Sequence, residues 1–544
     1  MSFKLQRRSF GLLTSLAALA FALPGISLAD DIKKGGRLVY LEQQPNTVLY
    51  PPAAGFYPNG GIVNQLTDKL TYQNPETLEI EPWIAVSWEI NEDATEYTFK
   101  LREGVTFSDG TPLDAAAVAL NYDIYGLGAA DRNYPVSEVI NNYERSEVLD
   151  PLTVRFHFKA PSPGFLQGTS VIGSGLVSPA TLARGFAELG DATLIVGSGP
   201  FVATSHKIGT EVVFEARDDY NWGPVNHPHQ GRANIDELRL IIVPEDGVRI
   251  GALLAGQGDV VRQIQAYDEG QITDRNFQLL SGQTRGINNG LAIRPDNPLV
   301  ADLRVRQALL HATNRDEILS TIYSDTYPAA RSPLSSFAAG FVDLSDKITF
   351  DAAKAAALLD EAGWVLNSDG KREKDGTLLA LATYESPPQP QNRAMLQLIA
   401  QQWARLGITL DVKAGDSGSR DLDNLDPLKT PVATAMVGRA DPDVIKSNFH
   451  PLNRNMLLQK GGISDKVQSF EDGDLNALLE AISAETDAEK RLALVADVQN
   501  YLIDQAYFIP VFEEPQVYGA APYVKDLRFE AVGRPSFYSV WLDK

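Results

Sequence analysis

The chain has 544 residues, of which 44% are hydrophobic and 22% are charged, so it can bury a large core divided over two or three domains. It contains no cysteine, which excludes disulfides, thiolate metal sites and a lipid anchor attached to an N-terminal cysteine. The net charge of −22 disfavours binding to nucleic acid and to anionic lipid, and we expect neither as a partner.

The N-terminal 29 residues have the pattern of a signal peptide. Three basic residues precede an uncharged apolar run at residues 11–23, and small residues follow at Ser27 and Ala29. We predict cleavage after Ala29, which removes three positive charges and takes the net charge from −22 to −25. An uncleaved membrane anchor is the alternative, but the apolar run is short for a bilayer span and Pro24-Gly25 ends it.

Two export routes fit this signal peptide. Arg7-Arg8-Ser9-Phe10 resembles the start of a twin-arginine signal, although the Gly-Leu-Leu that follows matches the consensus only in part. Paired arginines also occur in ordinary signal peptides. By either route, we expect a protein that is exported to the periplasm, soluble there, and not a lipoprotein.

Strands and helices alternate along the mature chain. Period-two patterns predict strands at residues 37–42, 96–102 and 152–159. Strands are also predicted at 236–243, at 408–412 after Gly407, and at 507–512 in the core. Helical spacing predicts helices at residues 62–70, from 115 with Asp114 as its cap, and at 245–257, 302–323, 351–362, 391–406 and 473–504. Residues 51–61 are rich in Pro, Gly and Asn and predict a loop, and 368–376 predict a hairpin. The order predicts an α/β fold without internal repeats.

A resemblance to a known family lies at residues 81–118. The sequence A-V-S-W is followed there by F-K-L-R-E-G-V-T-F-S-D-G-T-P. This region resembles the signature of the bacterial extracellular solute-binding proteins of family 5, which include dipeptide, oligopeptide and nickel binders. Further blocks that resemble the family follow in the expected order at residues 197–201, 252–259, 302–315, 358–364 and 406–408.

The resemblance implies a two-lobed periplasmic binding protein with mixed sheets, an extra subdomain in lobe 1 and two crossover segments. The implied boundaries are 30–290 for lobe 1, about 76–194 for its subdomain, 291–505 for lobe 2 and 506–544 for the C-terminal return to lobe 1. The crossovers are expected near Arg285–Ala292 and Ala506–Val511.

The same resemblance implies a monomeric, non-catalytic protein that uses no cofactor. Such a protein captures a peptide or peptide-like solute by closing its lobes, because the ligand stabilises the closed form. It then delivers the solute to the permease and ATPase complex of an ABC importer at the inner membrane.

The best candidates for ligand contact lie in the loop at residues 437–443. In the peptide binders of the family, an aspartate in such a loop pairs with the peptide amino terminus. Asp441 matches that aspartate, but a shift of a few residues would place Gly438 there instead. Arg439 can clamp a carboxylate with two hydrogen bonds. The alternative is an ordinary turn in which Arg439 pairs with Asp441.

Four further residues are candidates for ligand contact. The resemblance places Phe56 and Tyr57 where the first lobe meets ligand, and an aromatic ring there can stack on a side chain. The amides of Asn288 and Asn289 lie at the first expected crossover, where they can hydrogen-bond a peptide backbone. Packing and turn formation are the alternative roles for all four.

Two other functions remain open. A metallophore, a nickel chelate or an opine-like anion would use Arg439, with His450 as the metal-related residue, whereas the small number of histidines argues against a bare-ion site. A periplasmic serine hydrolase would use Ser417, because residues 415–419 read G-D-S-G-S. No supporting histidine motif accompanies that serine, so we interpret the segment as a loop.

Overall fold

The computed structural model describes residues 32–386, 389–415, 417–461 and 470–544, with the backbone alone for Ser417. The predicted signal peptide at residues 1–29 lies outside these ranges. None of the helices in them combines the length and the hydropathy that a bilayer crossing requires.

The largest sheet has seven strands and lies between two hydrophobic cores. Its middle strand, Arg37–Glu42, pairs in parallel with a neighbour on each side, and the outer pairs are antiparallel. Alternate residues of the middle strand point to opposite faces, so that Leu38 and Tyr40 join one core and Leu41 joins the other. In spatial order the strands are Gln278–Gln283, Pro515–Ala520, Val260–Arg262, Arg37–Glu42, Glu237–Ile242, Glu211–Ala216 and Phe201–Lys207.

A second, antiparallel sheet has four strands, and all of them lie within the range expected for the subdomain. Its strands are, in spatial order, Ala85–Ile90, Glu96–Leu101, Thr153–Phe158 and Tyr143–Asp150. The helix Ala115–Leu127 packs on this sheet. It begins where predicted, because the Asp114 side chain accepts a hydrogen bond from the Ala117 backbone N–H over 2.9 Å. The alternating strands predicted at 96–102 and 152–159 are confirmed.

The third sheet contains both of the expected crossover segments. Its central strand Gly286–Ile293 pairs antiparallel with Val432–Gly438 on one side and Phe508–Phe512 on the other. The chain therefore leaves the seven-stranded sheet after Gln283 and returns to it at Pro515, next to the point of departure. The two passages therefore lie side by side in one sheet.

The remaining elements are mostly helices between the two passages. These helices are Leu303–Ala312, Arg315–Ile322, Ala352–Glu361, Asn392–Ala404, Ser417–Asp423, Val444–Phe449, Gly473–Ala484 and Ala488–Asp504. The strands among them are the parallel pair Ala380–Tyr384 and Thr409–Lys413, and the hairpin Val365–Leu366, Arg372–Lys374 and Thr377–Leu378. Besides Ala115–Leu127, the α-helices outside this region are Tyr57–Leu66, Phe165–Gly168, Pro179–Leu182, Asp246–Leu254 and Glu269–Thr273. Short strand pairs join Thr71–Gln73 to Ile80–Pro82, Val524–Lys525 to Trp541–Leu542, and Arg528–Phe529 to Pro535–Ser536.

Two of the predicted long helices are each broken into two. In the range 302–323, the Asn314 side chain accepts a hydrogen bond from the backbone three residues on and starts a new helix. In the range 473–504, Asp487 does the same. Hydrophobic spacing continues through both breaks, which is why the pattern predicted single helices, whereas the capping side chains decide the ends.

The first helix begins earlier than predicted, at Tyr57 inside the presumed loop. Pro58 occupies its first turn, where a missing N–H costs nothing. Gly60 is required inside this helix, because a Cβ atom there would meet the Arg534 side chain. Gly60 therefore reflects close packing against Arg534 and not a turn.

Candidate ligand-binding cleft

One cleft encloses about 1170 Å³ of empty space, part of it open to solvent. Its walls come from chain segments on both sides of the first passage between the sheets. The lining residues lie at 52–83, 137–139, 170–173, 438–440 and 528–538, together with Pro200, Tyr220, Pro224 and His227. Gly438 ends the edge strand of the three-stranded sheet and Arg439 and Ala440 follow it, so the cleft joins that sheet to the part of the chain that precedes it.

Glu138 connects the two sides of this cleft. Its carboxylate accepts two hydrogen bonds from Arg454, from Nη2 over 2.8 Å and from Nε over 3.2 Å. Arg439 Nη1 lies 4.0 Å from the same carboxylate. Burial opposes the ionisation of Glu138, but the charges of Arg454 and Arg439 outweigh it and hold the pKa of Glu138 below its ordinary value.

Arg439 lines the cleft and is paired with Asp441. Arg439 Nε donates to Asp441 Oδ2 over 2.7 Å, Nη2 donates to Oδ1 over 2.5 Å, and Nη1 donates to the Ser447 hydroxyl. Burial alone would lower the pKa of Arg439, but the Asp441 charge outweighs it and raises the pKa. Both Asp441 oxygens are thus occupied by Arg439, and Gly438 rather than Asp441 lines the cleft. Contact of this loop with ligand stays a prediction.

Tyr57 lies behind the cleft wall and supports it. Its hydroxyl donates to the Val532 carbonyl over 2.6 Å and lies 3.1 Å from Thr284 Oγ1. The Tyr57 ring is flanked by two guanidinium groups, Arg534 at 4.6 Å and Arg262 at 4.9 Å from its centroid. Burial raises the pKa of Tyr57 to about 12. Val532 and Arg534 line the cleft, whereas Tyr57 itself does not.

The other predicted site residues are placed away from the cleft wall. Phe56 is 37% exposed. Asn288 Nδ2 donates to the carbonyls of Ser332 and Leu334, and Asn289 Nδ2 donates to Glu514 Oε2 over 2.6 Å. These amides therefore tie the first crossover to neighbouring segments, and their contact with ligand remains untested.

His450 pairs with a carboxylate on a nearby helix. Its Nε2 lies 2.8 Å from Glu480 Oε1, and burial lowers the pKa of His450 despite that charge. His450 is not among the cleft-lining residues. Within the described ranges, no cluster of three or more histidine, aspartate and glutamate side chains has the geometry to hold a metal ion. The side chain of Ser417 lies outside the described part of the chain.

Sequence reasoning missed the wall formed by residues 64–83. Lys69 and Trp83 line the cleft there, next to Asp68, which is buried. Asp68 accepts hydrogen bonds from Tyr220 over 3.1 Å and from Trp222 over 2.9 Å, and burial raises the pKa of Asp68 to about 7. The available signal was the pair of opposite charges, Asp68-Lys69, between the apolar helix and the strand that follows.

The comparisons with known proteins agree with one another over most of the length of this chain. The family profile described as bacterial extracellular solute-binding proteins, family 5 Middle, matches residues 79–447. Heme-binding protein A of Haemophilus influenzae is 27% identical over 88% of this chain and 87% of its own length. The dipeptide-binding protein of Escherichia coli is 25% identical over 86% of this chain and 87% of its own length. The solved structure of NikA from Brucella suis in complex with Fe(III)-EDTA has a TM-score of 0.79 at 25% identity, and covers 93% of this chain and 100% of its own.

Proposed function

Because the chain belongs to the bacterial extracellular solute-binding proteins of family 5 and has their two-lobed α/β fold, we propose that it captures a peptide or peptide-like solute in the cleft. The solute is then delivered to the permease and ATPase complex of an ABC importer. The protein acts as an exported, monomeric, periplasmic component without catalytic activity of its own.

The observation that carries this proposal is the cleft with walls from both sides of the chain passage. The space between these walls is about 1170 Å³, which includes open solvent, and residues from both sides line it. The two strands that connect the sides lie next to each other in one sheet, which permits the lobes to move as units. Closure on a solute then needs a change at two adjacent segments only.

The composition of the wall supports a peptide-like solute. Trp83, Tyr72 and Tyr538 provide aromatic surface, while charged groups and the hydroxyls of Ser137 and Ser170 provide polar contacts. Aromatic surface binds side chains of many shapes, and a few polar groups fix orientation. A metal chelate is less well supported, because His450 is occupied by Glu480 away from the cleft.

Thermal unfolding with a panel of di- and tripeptides tests this function. Any co-purified solute is first removed by partial denaturation and dialysis. A peptide present at 100 times its dissociation constant should raise the melting temperature by about 2 °C for a chain of this size. If no peptide shifts the melting temperature of the wild type, the peptide proposal is wrong.

A matched pair of glycine substitutions locates the binding site. Gly55 lines the cleft, and a Cβ atom added to it would have no neighbouring atom within 4 Å, so Gly55→Trp places a large side chain at the wall. Gly247 has equally open surroundings but does not line the cleft. We expect Gly55→Trp to abolish the peptide-induced shift and Gly247→Trp to retain it. Equal shifts in both variants would place the peptide elsewhere.

A further inference from the structure

Lys69 is a buried lysine that faces the cleft. Its side chain belongs to the cleft lining, although the residue is only 5% exposed. Nζ donates one hydrogen bond, to Asn64 Oδ1 over 2.8 Å, and lies 5.2 Å from the centroid of the Trp83 ring. Among the described residues, no carboxylate lies within ion-pair distance of Nζ, and two of its three donors have no acceptor.

The other cations of the cleft differ from Lys69, because each has its own acid. Arg439 is paired with Asp441, as described above. Arg534 pairs with Glu530 over 2.8 Å, and Arg528 pairs with Asp526 over 2.8 Å.

The acids of the cleft wall are also occupied. Glu138 is held by Arg454, Glu530 by Arg534, and Asp68 by the hydrogen bonds from Tyr220 and Trp222. Among the described residues, the Lys69 ammonium is therefore the cation of the cleft lining that has no carboxylate within ion-pair distance.

We propose that Lys69 binds an acidic group of the solute, so that the captured molecule carries a carboxylate or a phosphoryl group. This inference rests on the proposed function and specifies the chemical class of its solute. Asn64 holds the ammonium group by one donor and leaves the other two for the incoming anion. The adjacent Trp83 ring provides apolar surface for the part of the solute next to its acidic group.

Burial of an unpaired cation is costly, and an anionic group of the solute would offset that cost. Desolvation lowers the pKa of Lys69, and the nearby charges of Glu530 and Asp68 raise it only in part. An anion that enters the cleft restores the stabilisation that water would otherwise give. The charge-assisted hydrogen bonds formed in this way are about twice as strong as neutral ones.

The test compares peptides with free carboxyl termini and the same peptides with C-terminal amides, by thermal unfolding of the wild type, Lys69→Met and Lys69→Arg. Acetate, succinate, inorganic phosphate and methylphosphonate are added as simple anions, with acetamide and succinamide as neutral controls. Arg331→Met is the matched variant, because Arg331 pairs with Asp343 over 2.6 Å and is not among the cleft-lining residues.

We expect acids to bind the wild type at least tenfold more tightly than the corresponding amides. Lys69→Met should lose this preference, Lys69→Arg should keep part of it, and Arg331→Met should resemble the wild type. The relative shifts with carboxylates and with phosphoryl compounds identify which anion the site takes. If Lys69→Met does not fold, the comparison of acids with amides on the wild type still decides.

The two proposals fail in different ways. If peptide amides bind the wild type as well as the acids, or if folded Lys69→Met keeps the preference, the role of Lys69 is wrong while the peptide function stands. If simple anions bind only when Lys69 is present and no peptide binds, Lys69 has the proposed role and the peptide function is wrong. If no anion binds, the anion site is wrong.

Discussion

Glu138 and Arg454 form a two-point ion pair although 316 positions separate them in the sequence. Glu138 lines the cleft and lies in the segment that precedes the first chain passage, whereas Arg454 lies between the two passages. The pair therefore holds the two sides of the cleft together in the conformation of this structure. It can act as a closure contact that contributes to the retention of a solute.

Removal of this pair should speed solute release. Both side chains are partly exposed, at 36% and 43%, and exposed pairs contribute about 0.2–1 kcal/mol. Arg454→Met should therefore increase the dissociation rate about 1.5- to 5-fold, measured by stopped-flow displacement of a bound peptide. The pKa of Glu138 is lowered, so the pair is complete above the ordinary carboxylate pKa of 4.5 and is lost only as the pH falls through the lowered value. The effect should thus be equal at pH 6 and pH 8.

The matched control for this prediction is Arg331→Met. Arg331 pairs with Asp343 over 2.6 Å with similar exposure, but both residues lie between the two passages. Its removal should leave the dissociation rate unchanged. Equal rates for Arg454→Met and the wild type would show that the Glu138 pair does not hold the cleft closed.

Neighbouring glycines of the first helix should respond in opposite directions to alanine. A Cβ atom on Gly60 meets Arg534, so Gly60→Ala must displace the guanidinium group from the Tyr57 ring at a cost of about 1–3 kcal/mol. Gly61 has no atom within 4 Å of the same position, and Gly61→Ala should stabilise the helix by up to about 1 kcal/mol. Urea unfolding of both variants measures the difference, and a stabilising Gly60→Ala would contradict the packing described here.

The buried carboxylate of Glu514 should make stability fall as the pH rises. Burial raises the pKa of Glu514 from 4.5 to about 7, despite the hydrogen bonds from Asn289 and Gln516. Between these two values the folded protein binds more protons at Glu514 than the unfolded chain does, so this contribution to stability decreases with rising pH. Glu514→Gln cannot ionise and should flatten the decline in unfolding free energy between pH 5 and pH 7.5.

For Glu514, the quantity to compare is the slope of the unfolding free energy against pH. The raised pKa of Asp68 also makes stability fall with rising pH, so the wild type and the variant both keep that contribution. Glu361→Gln, at an exposed position, serves as the control and should leave the slope unchanged. A slope for Glu514→Gln that equals the wild-type slope would mean that Glu514 is ionised at low pH in the folded protein.

The pairing of Arg439 with Asp441 should be visible in stability without any ligand. Asp441→Ala leaves a buried guanidinium group without its acid, and loss of one partner of a buried pair costs about 3–5 kcal/mol. Replacement of both residues, Arg439→Met with Asp441→Leu, should recover much of that loss. Urea unfolding of ligand-free protein checks both. A loss below 1 kcal/mol in Asp441→Ala would show that Asp441 is not committed to Arg439.

The sequence predicted the fold class and most elements, but not the composition of the cleft. Strands with one buried face, such as residues 96–102, alternate visibly, whereas Gly286–Ile293 is buried on both faces and shows no alternation. The family resemblance pointed to the loop with Asp441, and its neighbour Arg439 lines the cleft, but contact of this loop with ligand stays a prediction. Lys69 was missed because its significance depends on Asn64 and Trp83 beside it and on acids far away in the chain that pair with other cations. A local sequence pattern cannot show that a cation has no carboxylate partner in the folded protein.

Native mass spectrometry of the protein, purified from its own periplasm without denaturation, tests the central claim most directly. The account predicts an added mass in the range of a short peptide or peptide-like molecule, which is lost on denaturation, carries an acidic group, and is strongly reduced in Gly55→Trp but not in Gly247→Trp. A retained solute without an acidic group would contradict the role of Lys69. A retained solute that is not peptide-like, or equal retention by both glycine variants, would contradict the capture of a peptide in this cleft.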